Sequence, residues 1–169
     1  MSRITPELIA TLFDRHAVAL ELFAAQWIST PADVVQEAFL QLVRQARVPD
    51  RPAAWLYRVV RNGAISAARR DARRSRNEQA AIGQARLQLE ADGESPLDAE
   101  LAARALEALA DEKREVVIAR VWGGLTFEEI GEFAAISSSE AHRRYEAALA
   151  SLRKKLGVTW LTKTAITKM

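Results

Sequence analysis

The sequence contains no cysteine, and this absence excludes both a disulfide framework and a metal site built from thiolates. Histidine is also scarce: His16 and His142 lie far apart in the chain and lack nearby ligand partners, so we expect neither a metal nor another cofactor. Only seven glycines and five prolines interrupt the 169 residues. Alanine, leucine, glutamate and arginine dominate instead, which predicts an all-α protein.

Long apolar runs are missing as well. No stretch reaches the length needed to cross a bilayer, and the first residues lack the layout of a signal peptide. We therefore expect no membrane insertion and a cytoplasmic location. The sequence also lacks a recognisable nucleophile–base pair, metal cluster or phosphate-binding loop, so we do not expect an enzyme.

The net charge of +2 conceals an uneven distribution of charge along the chain. Seven arginines lie between positions 58 and 76, against the single acidic residue Asp71. Positions 77–117 then hold ten acidic and four basic residues. A basic, an acidic and a second basic segment predict two nucleic-acid-binding surfaces joined by an acidic connector. A solvated helix end is the alternative interpretation of the arginines.

The strongest local pattern lies in residues 125–157 and predicts two helices joined by a tight turn. Thr126 with Glu129, and Ser137 with Glu140, have the spacing of capping boxes, so the second helix should begin soon after the first ends. The predicted buried stripes are Phe127, Ile130 and Ala134 in the first helix and Ala141, Tyr145, Ala148 and Leu152 in the second. Such a pair is typical of a helix-turn-helix, whose second helix enters the DNA major groove.

The outer face of that second helix carries side chains that can contact phosphates or base edges. Ser139, Arg143, Glu146 and Ala150 project opposite the buried stripe, with His142 and Arg144 beside them. The alternative is an ordinary helical hairpin whose charged face is only solvated.

Five further helices are predicted before this pair, over residues 5–27, 31–46 and 53–76 and around residues 97–109 and 116–122. The second has an acidic face near its start, which is either solvated or a docking surface for a basic partner. In the third, Trp55 lies beside arginines and Asn62, where it can stack on single-stranded bases or belong to the core. Residues 77–97 are the predicted linker.

Three segments resemble bacterial sigma factors. Residues 33–40, DVVQEAFL, look like the family's D-L-V-Q-E-x-F-L run, and residues 54–62, AWLYRVVRN, look like its A-W-L-Y-R-I-A-R-N segment. Residues 125–130, LTFEEI, match the L-S-Y-E-E-I opening of the C-terminal helix-turn-helix. The order and separation of the segments also agree, and with no middle domain the chain resembles the extracytoplasmic-function group of the sigma-70 family.

The resemblance implies an all-α fold of two small helical domains joined by a linker. The domains would be a region 2-like domain at residues 1–76, the linker 77–97, a region 4-like helix-turn-helix domain at 98–157, and a tail at 158–169 of unknown role. It implies a promoter-specificity subunit, whose partners are core RNA polymerase (its β′ clamp helices and β subunit), promoter DNA, and an anti-sigma factor or other regulator.

The resemblance also implies roles for three residue sets. The set that docks on the β′ clamp helices is Asp33, Gln36, Glu37 and Leu40. The set that helps melt and read the −10 element is Trp55, Arg58, Arg61 and Asn62. The set that reads the −35 element is Ser138, Ser139, His142, Arg143 and Arg144.

The chain departs from the family pattern at several positions. The connection between Phe39 and Trp55 is shorter, Ala134-Ala135 replaces the usual Leu-Gly at the turn, and Ala141 stands where valine is common. We therefore expect the recognition helix to form, without inheriting the −35 preference of relatives. Two alternative functions remain: a two-domain helix-turn-helix regulator that acts without polymerase, and a helical adaptor that binds only proteins.

Overall fold

The computed structural model of the chain describes residues 3–78, 87 and 96–157. These residues form helices and no strand, which confirms the predicted all-α class. The helices are α1 (Pro6–Ala24), α2 (Pro31–Val43), α3 (Pro52–Glu78), α4 (Pro96–Glu107), α5 (Asp111–Val121), α6 (Phe127–Ala134) and α7 (Ser138–Leu156). None of the described helices is both long and apolar enough to cross a membrane.

Proline and capping residues set the helix starts. Thr5 caps α1, its hydroxyl accepting the Leu8 N–H at 3.2 Å, and Pro6 takes the first helical position, where no N–H is needed. α1 and α2 end earlier than predicted, at Ala24 and Val43, whereas α3 continues two residues further. Most of the predicted linker, residues 79–95 apart from Leu87, and the tail at 158–169 lie outside the described residues.

One hydrophobic core joins the amino-terminal and carboxy-terminal helices. It includes Leu20 and Phe23 from α1, Leu56 from α3, Ile118 from α5 and Ile130 from α6, all fully buried. A second, smaller core lies among α4, α5 and α7 and is built from Leu106, Leu109, Val117, Ala148 and Leu152. The amino-terminal half of the chain (α1–α3) and the carboxy-terminal half (α4–α7) therefore pack against each other. The sequence did not predict this arrangement.

The buried side of the helix-turn-helix differs in part from its predicted stripe. Ile130 is fully buried, but Phe127 and Ala134 are only partly covered, and Phe133, which the pattern left out, is 4 % exposed. The predicted stripe of α7 is confirmed at Ala141, Ala148 and Leu152, while Tyr145 is half-buried. Phe133 is buried because it meets aromatic rings of the other half of the molecule.

Two arginines hold the ends of helices in the carboxy-terminal half. The Arg114 guanidinium donates to the carbonyls of Leu106, Glu107 and Leu109 at 2.8–3.1 Å, so it satisfies the acceptors at the end of α4. Arg120 donates to the Leu125 carbonyl at 2.7 Å and lies 4.7 Å from the centre of the Phe127 ring. These bonds fix the entry into α6.

A buried histidine lies at the contact between the two halves. His16 of α1 is 6 % exposed, and its Nδ1 has no hydrogen-bond partner among the described residues. Its ring lies 6.5 Å from that of Tyr57, centre to centre. Burial, together with the positive charge of Arg15, lowers the pKa of His16 below its ordinary value, against an opposing effect of Glu129.

We expect His16 to make the protein less stable in mild acid. Its pKa is lower in the folded than in the unfolded state, so the unfolded chain binds the proton more readily, and the free energy of unfolding should fall as pH drops below about 6.5. Urea midpoints across this range should fall less in His16→Gln than in the parent. His142→Gln, at an exposed position, is the matched control. Equal pH dependence in His16→Gln and the parent would contradict the assignment.

Candidate functional site

The exposed face of α2 combines acidic, amide and apolar side chains. Asp33, Gln36, Glu37 and Leu40 are all exposed, at helical spacings that put them on one side of α2. Val43, one turn beyond Leu40, is 54 % exposed and continues this surface with a second apolar side chain. An apolar strip with acidic neighbours is a surface suited to a protein partner.

The face of α3 that carries the −10 set is only partly open. Arg58 and Asn62 are exposed, whereas Trp55 is half-buried against the core. Further along the same helix, exposed arginines at 69, 70, 73, 74 and 76 continue the positive charge. Their guanidinium groups form a surface suited to nucleic-acid phosphates.

Arg61, the remaining member of this set, is engaged within the protein. Its Nε donates to Glu115 Oε2 at 2.7 Å and its Nη2 donates to Glu115 Oε1 at 3.2 Å, a bidentate pair between α3 and α5. The Glu115 side chain is 5 % exposed and that of Arg61 is 31 % exposed. The hydrogen bond to Glu115 raises the pKa of Arg61 above its ordinary value, so the guanidinium stays charged.

Glu115 was not among the site residues predicted from the sequence. A signal was available: Glu115 lies three and four residues before Ile118 and Ala119, both fully buried, so helical spacing puts the carboxylate on the buried side of α5. A buried carboxylate requires a cationic partner. The residues around Glu115 do not identify that partner, because Arg61 lies 54 positions earlier in the chain.

Aromatic rings join the same two halves beside this ion pair. Tyr57 of α3 stacks on Phe133 of α6 with ring centres 5.6 Å apart, and Phe23 of α1 packs edge-on to both rings. The close approach requires glycine at position 123, because a Cβ there would collide with the Tyr57 hydroxyl. Burial raises the pKa of Tyr57 well above its ordinary value, so the phenol stays protonated.

The start of α7 has one of the two hydrogen bonds of its predicted capping box. The Ser137 hydroxyl accepts the Glu140 N–H at 3.1 Å, as expected for an N-cap. The reciprocal bond occurs at Thr126 and Glu129 but is not found at Ser137, so the second predicted capping box is wrong. The Glu140 carboxylate turns instead toward two arginines of its own helix.

These arginines belong to the −35 set. Arg143 Nη2 donates to Glu140 Oε2 at 2.6 Å and Arg144 Nε donates to Oε1 at 3.0 Å. The bond from Arg144, together with the charge of Arg143, lowers the pKa of Glu140. Arg143 remains 73 % exposed on the outer face, and Arg144 is 29 % exposed.

The other members of the −35 set surround the first turns of α7. Ser139 and His142 are exposed and Ser138 is half-buried. The His142 ring packs edge-on to Phe127 of α6 with ring centres 5.0 Å apart, and its Nε2 lies 3.7 Å from Glu146 Oε1. All five side chains therefore lie near the amino-terminal end of one helix, with four of them on or beside its outer face.

The turn between α6 and α7 has an unusual residue at its left-handed position. Ala135 adopts φ 56° and ψ 44°, a conformation that costs a residue with a Cβ about 1–2 kcal/mol. Gly131, in the preceding turn of α6, allows the chain to fold back: a Cβ there would lie 2.6 Å from the Ile136 carbonyl oxygen. The two helices thus meet at a strained but closely packed corner.

We expect Ala135→Gly to stabilise the protein by about 0.5–1 kcal/mol. The substitution removes the left-handed strain, and the greater freedom of glycine in the unfolded chain offsets part of the gain. The urea midpoint should rise with an unchanged denaturant slope. Ala134→Gly, one residue earlier and inside α6, is the control and should lower the midpoint. A lower midpoint for Ala135→Gly would show that the turn is not strained.

Comparisons with known proteins agree on one family. The family model described as Sigma-70 region 2 matches residues 12–74, and that described as Sigma-70, region 4 matches residues 105–154. The RNA polymerase sigma factor CarQ of Myxococcus xanthus is 31 % identical to this chain over 161 residues, which cover 86 % of this chain and 87 % of that protein.

Two solved structures share the fold. The sigma factor RpoE of Bartonella quintana, solved in complex with the anti-sigma factor NepR, has a TM-score of 0.75 at 21 % identity, covering 92 % of this chain and 99 % of that one. CnrH, solved in complex with the cytosolic domain of CnrY, has a TM-score of 0.61 at 25 % identity, covering 89 % and 88 %.

Proposed function

This chain belongs to the sigma-70 family of RNA polymerase sigma factors, in its extracytoplasmic-function group, and from that membership we propose which of its surfaces bind polymerase and which read the promoter. As a sigma factor it acts in transcription initiation, with RNA polymerase and promoter DNA as its partners. The family is a non-catalytic one, and we propose that this member too is not an enzyme and works in the cytoplasm, where its partners are. The domain bounds 1–76, 77–97 and 98–157 are part of the proposal.

The acidic and apolar face of α2 is the surface for the β′ clamp helices. Asp33, Gln36 and Glu37 supply charge and hydrogen-bonding groups, and Leu40 supplies an apolar contact at the same face. An exposed leucine beside exposed carboxylates supports this role, because the centre of a protein interface needs apolar area and its rim needs polar groups.

We expect Glu37→Lys to weaken binding to core polymerase about tenfold or more. A lysine facing a basic partner exchanges attraction for repulsion. The Glu37 side chain is 54 % exposed, and its contacts are long ones, a 3.9 Å pair to Arg44 and a 3.5 Å hydrogen bond from Gln41, so the fold should be unaffected. Co-purification with core enzyme measures the loss. Glu100→Lys, an exposed position of α4, carries the same charge change as a control, and parental affinity in Glu37→Lys would remove α2 as the docking surface.

The exposed side of α3 is the surface for the −10 element. Arg58, Arg61 and Asn62 offer donors to base edges and phosphates, and Trp55 supports the helix from its half-buried position. The melted strand would follow the arginines of the carboxy-terminal part of α3. Positive charge next to aromatic side chains is the usual combination for binding single strands, and capturing an unstacked base helps to hold the duplex open.

The amino-terminal turns of α7 form the surface for the −35 element. Ser139, His142 and Arg143 are exposed at the end that a recognition helix presents to base edges, and Ser138 and Arg144 lie beside them. Their neutral and cationic donors suit both phosphates and guanine. An anti-sigma factor is the proposed regulator, which the solved complex of RpoE with the anti-sigma factor NepR supports.

The observation that carries the proposal is the presence of both sigma domains, in order, on a chain that exposes a separate polar face for each expected partner. The test is transcription in vitro: the purified chain is added to core polymerase with fragmented genomic DNA of its source organism, and the RNA 5′ ends are sequenced. We expect new start sites that share −10 and −35 elements.

The control reactions use core polymerase alone and the chain carrying Glu37→Lys. If no start site depends on the chain although it binds DNA, the protein is a regulator that acts without polymerase, and the assignment of α2 fails with it.

A further inference from the structure

The acidic start of α5 lies against the basic face of α3. Asp111, Glu112 and Glu115 line one side of a cleft of about 430 Å³, and Arg61 and Arg69 line the other. The one direct ion pair across it is that between Arg61 and Glu115 among the described side chains. Carboxylates thus occupy positions facing the arginines that a nucleic-acid phosphate would otherwise approach.

The edge of the guanidinium that is bonded to Glu115 is not available to DNA. Both hydrogen bonds to Glu115 use the Nε–Nη2 edge of Arg61, so this edge cannot contact a phosphate or a base while the pair is formed. The Glu115 side chain is 5 % exposed, so the carboxylate end of the pair is buried. Arg58 and Asn62, on neighbouring positions of α3, remain exposed. The contact therefore blocks one member of the −10 set while leaving the others open.

Further contacts between the same two halves keep the cleft closed. The stack of Tyr57 on Phe133 buries both rings, and Arg51, just before α3, lies 3.8 Å from Glu132 of α6. The shared core continues across this boundary. Releasing Arg61 thus means separating α3 from α5 and α6 as well as breaking one ion pair.

We propose that Glu115 acts as an intramolecular substitute for nucleic acid, which latches the free protein in a closed state with Arg61 masked. The proposal rests on the function given to Arg61 above. A partner that needs Arg61, or that needs the two halves apart, must first shift the population toward an open state. The affinity of the free protein for a single strand is reduced in proportion to how rarely that state occurs.

The first test replaces Glu115 by glutamine in the full chain. Glutamine has nearly the same shape and leaves no buried charge, so folding should be preserved. We expect the affinity for a short fluorescein-labelled single strand of mixed sequence to rise about tenfold, measured by anisotropy. Energy transfer between dyes at Ala10→Cys and Ala150→Cys should fall, and these sites are unique because the chain has no cysteine of its own.

Glu112→Gln is the matched control. It removes the same charge from an exposed position of the same turn, where no bond to Arg61 exists. A rise in affinity and a fall in energy transfer confined to Glu115→Gln would support the latch. Unchanged values in Glu115→Gln, or equal changes in both variants, would overturn it, and so would opening without any gain in affinity.

A second measurement locks the closed state. Arg51→Cys and Glu132→Cys are joined by a cleavable bismaleimide, which bridges the two halves at their exposed ion pair. The linked chain should bind the strand more weakly than the same chain after cleavage. Equal binding before and after cleavage would overturn the proposal. Neither outcome depends on transcription, so failure of the latch is distinguishable from failure of the proposed function.

Discussion

Arg61→Ala should lower the free energy of unfolding by about 2–4 kcal/mol, because it leaves the Glu115 carboxylate buried without its cation. We do not expect the largest losses of stability that occur when buried ion pairs are broken. The Arg61 side chain is 31 % exposed, so water screens part of its attraction to Glu115. Urea denaturation measures the loss, and the shared core predicts that the two halves unfold together.

Two further variants identify the cause. Arg58→Ala removes an exposed arginine one turn earlier in α3 and should change stability by no more than about 0.5 kcal/mol. Adding Glu115→Leu to Arg61→Ala removes the stranded charge and should restore most of the lost stability. If Arg61→Ala is as stable as Arg58→Ala, the pair between α3 and α5 does not contribute to the folded state.

The pair with Glu115 and the proposed −10 role of Arg61 together affect how −10 variants are interpreted. A transcription defect in Arg61→Ala would combine lost DNA contact, lost stability and an altered closed state. Arg58→Ala and Asn62→Ala change exposed side chains, so a defect in open-complex formation there reports on DNA more directly. Permanganate reactivity of the −10 strand separates melting from initial binding.

Local signals in the sequence predicted the helices well. The Thr126–Glu129 capping box and the stripe of α7 act over three or four residues, and their physics is complete within that window. The same limit explains why the sequence pattern missed the burial of Phe133. Phe133 is buried because Phe23 and Tyr57 of distant helices reach it, and periodicity within α6 cannot show that.

The candidate site residues also differ in whether their surroundings depend on one helix or on distant parts of the chain. The set Asp33, Gln36, Glu37 and Leu40 was implied by the family resemblance, and its side chains are exposed on one helix, α2. The state of Arg61 depends on Glu115, which the chain brings close only by packing its two halves together. The sequence shows an alanine at position 135 where the family usually has glycine, but only the structure shows that Ala135 has a left-handed backbone conformation.

At the start of α7, an internal ion pair positions a side chain that is proposed to read DNA. The Glu140 carboxylate accepts from Arg143 and Arg144 at once, which restrains two long side chains near the outer face. Because Arg143 is 73 % exposed, its pair with Glu140 is worth little to stability and can be exchanged for a DNA contact. Glu140 thus positions Arg143 without competing strongly for it.

On this basis, Arg143→Ala should weaken binding to a −35 duplex by about 1–3 kcal/mol, roughly 5- to 150-fold, if the guanidinium reads a guanine. The loss should then be confined to promoters with the matching base, and the preference at that position should relax. If Arg143 holds only a phosphate, binding should fall evenly across sequences with a shallower dependence on salt. Anisotropy on the duplex and its single-base variants, across salt concentrations, distinguishes the two.

Arg153→Ala is the matched control for this prediction, because it removes the same charge from an exposed position in the last turn of α7, far from the amino-terminal end. It should leave sequence preference unchanged and affect only the weak, salt-dependent part of binding. The Arg143→Ala protein should still bind core polymerase, since α2 is untouched, and should retain activity on promoters with a strong −10 element. Unchanged affinity, salt dependence and preference in Arg143→Ala would mean that α7 does not enter the major groove by this face.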